Sequence, residues 1–283
     1  MKPLFQIKIC GITRANDALE AFFAGADAIG LNFYPASKRY VDDLAASTIV
    51  AAVLSDTRLS RKRPQIVGVF VNSSPQQIVQ KVVDHQLNGI QLHGDEDRDF
   101  LRKLMGILKK VKILDKNRSP LLIKAMRPNL GGSSTRSLSG NPEGAESFRS
   151  QSAPNGLLSL IEEIEQWKGA GADAVLLDAP TDGSHPNQPP AVESKLPQVS
   201  AEPPLVPLYG GTGHAIDWKT LTGVEFSLPY VLAGGLKPEN VAEAIAISGA
   251  RSVDVASGVE IAPGIKSGEK VRNFVTQTGW RSV

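Results

Sequence analysis

Ile7-Lys8-Ile9-Cys10-Gly11-Ile12-Thr13 is a short β-branched run that ends in the only cysteine of the chain, followed by a glycine and a helix start. The pattern predicts a first strand over about Gln6 to Cys10. A helix follows, with Thr13 as its N-cap and apolar Ala15, Ala18, Leu19, Phe22 and Phe23 at helical spacing. This strand–loop–helix unit is the module from which the rest of the chain is read. It delivers one thiol to the mouth of a loop. A lone cysteine is more often an inert core residue, so its position gains meaning only from what the other units bring opposite it.

The same alternation runs to the C-terminus. Further strands are expected over Asp27 to Phe33, Gln65 to Val71, Gly89 to Leu92, Leu121 to Met126, Asp173 to Leu177, Pro229 to Ala233 and Ser252 to Ala256. The run Asp27 to Phe33 is continuously apolar and small, as for a strand buried on both faces. Helix starts are marked by Asp42 or Asp43, by Ser74-Pro75, by Pro238 and near Ser267. Eight buried strands alternating with helices have two main solutions, a closed (β/α)8 barrel and an open doubly wound sheet. The even spacing favours the barrel. No G-x-G-x-x-G follows the first strand, which disfavours a dinucleotide-binding sheet. The expected fold is therefore a single (β/α)8 TIM barrel over residues 1–283, with the strand C-termini facing the active site.

Two stretches do not fit a compact barrel. Residues 128–156 are rich in Ser, Gly, Asn and Arg, and residues 180–207 hold eight of the chain's 19 prolines. They read as long, flexible loop insertions after strands five and six, either tolerated at the surface or serving as lids.

Composition narrows the function classes. At 283 residues and a net charge of +2, the chain has no general attraction for nucleic acid or an anionic membrane. One cysteine makes no internal disulfide, in keeping with a reducing compartment. No apolar run approaches the roughly 18 residues of a membrane span. A cytoplasmic protein acting on a small molecule is expected, as a monomer or homodimer. The four histidines, at 85, 93, 185 and 214, form no metal-binding spacing. Serine-nucleophile and P-loop motifs are also lacking, so the site is read as working without metal or cofactor.

The candidate chemistry sits at strand ends. Cys10 ends strand one and Asp178 follows strand six, which in a barrel places them across the mouth from one another. Their ordinary pKa values, about 8.5 and 3.9, would have to move toward neutrality for acid–base work, Cys10 downward and Asp178 upward. Ala233-Gly234-Gly235-Leu236 and Ala256-Ser257-Gly258-Val259 follow strands seven and eight, where this barrel commonly binds phosphate on bare backbone N–H groups. Arg39, after strand two, offers a planar fork for a carboxylate. His93 and Asp95 read as an ordinary turn histidine and a helix cap. Asp254, inside strand eight, reads as structural.

The motifs KICGIT (8–13), GLNFYPASKRYV (30–41), GVFVN (68–72), QLHG (91–94), LLD (176–178), GGTG (210–213), LAGGLKPEN (232–240) and VDVASGVE (253–260) together resemble phosphoribosylanthranilate isomerase. The resemblance covers the chain apart from the two long stretches and is weak only in the fifth unit. It implies conversion of N-(5-phosphoribosyl)anthranilate to 1-(2-carboxyphenylamino)-1-deoxyribulose 5-phosphate, an Amadori rearrangement and the third step from chorismate to tryptophan. It implies Cys10 as general base, Asp178 as general acid and Arg39 on the anthranilate carboxylate. Backbone around Gly234, Gly235, Ser257 and Gly258 would hold the phosphate, with Gly211 and Gly213 near the ring. The alternatives are the related isomerase of histidine synthesis, or a bifunctional version, and a phosphate-binding barrel without catalysis.

Overall fold

A computed structural model describes residues 4–59, 64–111, 120–128, 130, 155–179 and 217–280. Eight parallel strands close into a barrel in sequence order, β1 (Ile7–Cys10), β2 (Ala28–Asn32), β3 (Gln65–Phe70), β4 (Gly89–Leu92), β5 (Leu121–Met126), β6 (Ala174–Leu177), β7 (Tyr230–Leu232) and β8 (Val253–Val255). Each lies within the range expected from its apolar run. Closure is made by β1 on β8, with Ile7 opposite Val253, Lys8 opposite Asp254 and Ile9 opposite Val255. The open-sheet alternative is excluded by that pairing.

Among the described residues seven helices surround the barrel: α1 (Ala15–Ala24), α2 (Asp43–Ser55), α3 (Pro75–Asp84), α4 (Arg98–Lys110), α5 (Asn155–Ala170), α6 (Val241–Ser248) and α7 (Gly268–Gln277). A short 3₁₀ turn, Trp218–Leu221, stands before β7. Local chemistry explains the starts. Asp42 accepts the N–H of Ala45 and Ser267 that of Lys270, while Ser74 and Gln77 form a reciprocal capping box with Pro75 at the first helical position. The expected cap at Thr13 is not made. α1 starts one residue later behind an extended Arg14 without a side-chain cap, and the Thr13 hydroxyl donates instead to the carbonyl of Gly264. A two-stranded hairpin, β9 (Glu260–Ala262) and β10 (Ile265–Lys266), follows β8 and was not expected from the sequence.

Strand alternation sorts the side chains. Ile7, Ile9, Ile29, Leu31, Ile66 and Ile90 point outward and pack under the helices in one large apolar cluster. Ala28, Val67, Ile123, Ala125, Ala174, Leu176, Val231 and Ala233 form a second, smaller cluster with Phe5. It fills the barrel interior, which is therefore a packed core rather than a channel. Lys8, Cys10, Gln91, His93 and Asp254 share the inward-facing parity, so the floor of the barrel mouth is polar. The stretches 131–154 and 180–216, which hold most of both expected insertions together with Gly211 and Gly213, lie outside the described residues.

Candidate active site

A pocket opens at the C-terminal mouth of the barrel. It is lined by Cys10 and Gly11 after β1, by Asn32, Ser37 and Arg39 around the end of β2, and by Gln91 and His93 of β4. The rest of the lining is Asp178, the Ala233–Leu236 loop and, beside β1, the Asp254–Ser257 segment. The geometry brings together Cys10, Asp178, Arg39, Gly234, Gly235 and Ser257 from six separate positions in the sequence. Gly258 lies just behind the lining.

Cys10 sits at the floor, beside a buried ion pair. Lys8, fully buried, donates to Asp254 Oδ2 at 2.7 Å and to Gln91 Oε1 at 2.9 Å. Burial opposes the Lys8 ammonium, but Asp254 and the neighbouring Cys10 sulfur outweigh it and hold its pKa above the ordinary value. Burial also pushes the Cys10 thiol up, and Asp254 adds to this, against the opposing pull of Lys8 and Lys266. The pocket's own groups thus favour the thiol, the reverse of the downward shift expected for a base. Asp254 is not the purely structural strand residue expected. It lines the pocket, pairs with Lys8, and its buried Oδ1 has no hydrogen-bond partner among the described residues.

Asp178 is held at the opposite wall. Its Oδ1 accepts the Ala179 N–H at 3.0 Å and its Oδ2 faces His93 Nε2 at 3.3 Å. The His93 contact is long and imperfectly aligned, as such contacts often are before substrate arrives. Burial pushes the Asp178 carboxyl up, but His93, Arg127 and the Ala179 amide outweigh it and leave its pKa below the usual range. This too is opposite to the expected shift. His93 is no ordinary turn residue. Its Nδ1 lies 2.7 Å from Gln91 Nε2, and the Arg127 guanidinium donates to its carbonyl.

The Arg39 fork is already occupied. Nε and Nη2 each donate to a carboxylate oxygen of Glu260 at 2.8 Å. Glu260 also accepts from Lys266 at 2.8 Å, and Lys266 donates to the Ala256 carbonyl. Burial pushes Glu260 up, but the two cations prevail and keep it ionised well into acid. The Nε/Nη2 edge is therefore spent on the protein, and the Nη1/Nη2 edge is the one Arg39 can still turn to a ligand carboxylate.

The two glycine loops meet behind the pocket. Gly234 and Gly235 both take left-handed φ, 78° and 66°, which lets the chain after β7 turn sharply. Asn240 fixes that turn, donating to the Gly235 carbonyl at 3.0 Å and accepting the Lys237 N–H at 2.8 Å. Gly258 lies in the 3₁₀ turn Ser257–Val259 after β8. A Cβ there would collide with the Leu236 carbonyl, so the two loops touch backbone to backbone. Among the described residues no cluster of three His, Cys, Asp or Glu is arranged to hold a metal, and no helix is long and apolar enough to cross a membrane.

A barrel with this mouth is shared by many enzymes, and comparison with known proteins decides among them. The family model for N-(5'-phosphoribosyl)anthranilate (PRA) isomerase matches residues 7–127 and 200–277. The chain belongs to the PRA isomerase family. Among its members, the N-(5'-phosphoribosyl)anthranilate isomerase of Neisseria gonorrhoeae strain FA 1090 is 36% identical over 268 residues, covering 95% of this chain and 93% of that one. The crystal structure of phosphoribosyl anthranilate isomerase from Thermotoga maritima matches with a TM-score of 0.63 at 30% identity, covering 98% of this chain and 99% of its own. A PRA isomerase in complex with reduced 1-(o-carboxyphenylamino)-1-deoxyribulose 5-phosphate matches at 0.59 and 27%, with the same coverage. The family match skips 128–199, the span that contains Asp178.

Sequence reasoning did not single out Lys8, Gln91, Glu260 or Lys266. For Lys8 and Gln91 the available signal was a charged or amide residue at an inward-facing position of a strand otherwise buried on both faces, which is costly unless it is paired; Glu260 and Lys266 lie on the β9–β10 hairpin and carried no such signal.

Proposed function

We propose that the chain converts N-(5-phosphoribosyl)anthranilate to 1-(2-carboxyphenylamino)-1-deoxyribulose 5-phosphate, the third step from chorismate to tryptophan, with Asp178 as acid and Cys10 as base. The observation that carries this reading is one pocket with a thiol at its floor, a carboxyl on the opposite wall and paired glycine loops beside them. Family membership supports the same substrate.

In this mechanism Asp178 gives its proton to the furanose ring oxygen. The C1–O bond breaks as the anilino nitrogen lone pair forms C1=N. The Cys10 thiolate takes the proton from C2, and that electron pair forms the C1=C2 bond of the enolamine while nitrogen regains its lone pair. Movement of the O2 proton to C1 gives the ketone. Cys10 has then gained one proton and Asp178 has lost one. That is the thiol and carboxylate pair the pocket's own groups favour.

Each turnover needs the opposite pair, a proton on Asp178 and a thiolate at Cys10. A carboxylate and a phosphate entering the pocket disfavour another anion at Asp178 and draw a proton onto it. Lys8 and Lys266 are the groups that favour the thiolate at Cys10. The substrate carboxylate meets the Nη1/Nη2 edge of Arg39, whose Nε/Nη2 edge stays on Glu260. Backbone N–H groups of Gly234, Gly235, Ser257 and Gly258 hold the phosphate, with Gly211 and Gly213 near the ring. Two anionic anchors fix C2 over the thiol, and positioning of this kind supplies much of the rate.

Expression in a tryptophan auxotroph lacking this isomerase is the test. Growth without tryptophan is the expected result. Soluble protein without growth would overturn the assignment.

A further inference from the structure

A line of buried polar side chains joins the floor of the barrel to the proposed acid. It starts at Asp254 and Lys8 on adjacent strands, passes through Gln91 on β4, and ends at His93 and Asp178. Gln91 is 1% exposed and His93 9%, so solvent does not compete for these groups.

The chemistry of the line has only one consistent direction. The Lys8 ammonium has donors and no acceptor, so the Gln91 atom 2.9 Å away must be the carbonyl oxygen. That places the Gln91 NH₂ against His93 Nδ1, at 2.7 Å. An amide N–H can face Nδ1 only if Nδ1 carries no proton. The ring proton is then on Nε2, and the group facing Nε2 is Asp178 Oδ2, at 3.3 Å. Nε2 makes no aligned hydrogen bond among the described residues, and Asp178 Oδ2 is the acceptor it lies beside.

We propose that Lys8 and Gln91 are positioning residues that lock His93 in its Nε2–H tautomer, so that its single ring proton stands on the side of Asp178. The inference rests on the reading of Asp178 as the acid. It assigns Lys8 two tasks, one at each wall, for the same ammonium also lies against the Cys10 sulfur. A neutral ring steadies the orientation of Asp178 without placing a full positive charge beside a group that must give up a proton. An imidazolium in that place would hold the carboxylate as its ion pair and withhold the acid. The other charged groups around the ring are Arg127, which donates to its carbonyl, and Cys10 and Asp254 across the pocket floor.

The test is a long-range proton–nitrogen NMR spectrum of the full chain, labelled with ¹⁵N-histidine, at neutral pH. Loss of one signal set in His93→Asn assigns the ring among the four histidines. Wild type should show His93 with Nε2 protonated and Nδ1 bare. Gln91→Glu replaces the amide donor by an acceptor of the same shape, so Nδ1 should gain a proton, with kcat falling about tenfold. Lys8→Met, which releases the amide to turn over, should shift the ring toward the Nδ1–H form; Gln91→Glu serves if that variant does not fold. A wild-type ring protonated on Nδ1, an unchanged ring in Gln91→Glu, or a changed ring with unchanged kcat would each overturn the proposal. Ring signals are read without turnover, so failure of the tryptophan complementation would refute the assigned reaction and leave the tautomer result standing.

Discussion

Gly258→Ala tests the phosphate cradle without touching a titratable group. The added Cβ would fall on the Leu236 carbonyl oxygen, 2.9 Å from its carbon and 3.0 Å from Lys237 Cα. All three are backbone atoms, so no rotamer change relieves the clash, and one loop must back away by on the order of 1 Å. Overpacking of this kind costs about 1–3 kcal/mol of stability, which leaves a large barrel folded. The effect on substrate is larger. Hydrogen bonds to a charged group are worth about 1.5–3 kcal/mol each, so losing one N–H contact to a phosphate raises KM by about 10- to 150-fold. Steady-state kinetics, with circular dichroism and urea denaturation as controls on folding, give the answer. Inorganic phosphate as a competitive inhibitor should weaken in parallel. A KM within twofold of wild type, in protein whose denaturation shows the expected loss, would refute the placement of phosphate between these loops.

Glu260→Ala strands Arg39 and the buried Lys266 without their shared anion, at a cost of about 3–5 kcal/mol. With a urea m-value of about 3 kcal/mol/M, the denaturation midpoint should fall by roughly 1 M or more. Glu260→Gln should lose less, because it keeps an acceptor for the guanidinium. Cys10 is the only thiol, so its alkylation by iodoacetamide can be followed directly. Its pKa is raised by burial and by Asp254, so the thiol form persists to higher pH than in a free cysteine. Native protein should therefore react more slowly than the urea-unfolded chain at pH 8, with the inflection of rate against pH displaced upward. In acid the carboxylates dominate. Asp178 and Glu260 have lowered folded pKa values, so their stabilisation is complete above the unfolded carboxylate range of about 4 and is lost as pH falls through the folded values. The denaturation midpoint should be steady toward neutrality and drop in acid.

The barrel was legible because strands buried on both faces leave an unmistakable trace, short apolar runs between helix caps, as in Ala28–Asn32 and Ala174–Leu177. The candidate residues Cys10 and Asp178 stand at the ends of those strands, where position marked them and the family resemblance gave them roles. The partners of these groups were hidden for a physical reason. Lys8 and Asp254 are 246 residues apart and meet only when β1 closes against β8. Arg39 and Glu260 are separated by 221 residues, and nothing in the local pattern of either shows that the guanidinium is already taken. The directions of the pKa shifts were misjudged on the same account, since burial and paired charges belong to the closed barrel. Thr13 shows the local version of the limit, for its hydroxyl serves the β9–β10 hairpin rather than its own helix.

The central claim is that Cys10 removes a proton from C2. Positioned acid–base groups contribute about 10²–10⁴-fold to rate. The most direct measurement is kcat of Cys10→Ala with N-(5-phosphoribosyl)anthranilate, on protein shown to be folded and still able to bind phosphate. A loss of at least about a hundredfold with KM little changed is the predicted result. Turnover within a few-fold of wild type would contradict it, and the base would then have to be sought elsewhere in the pocket.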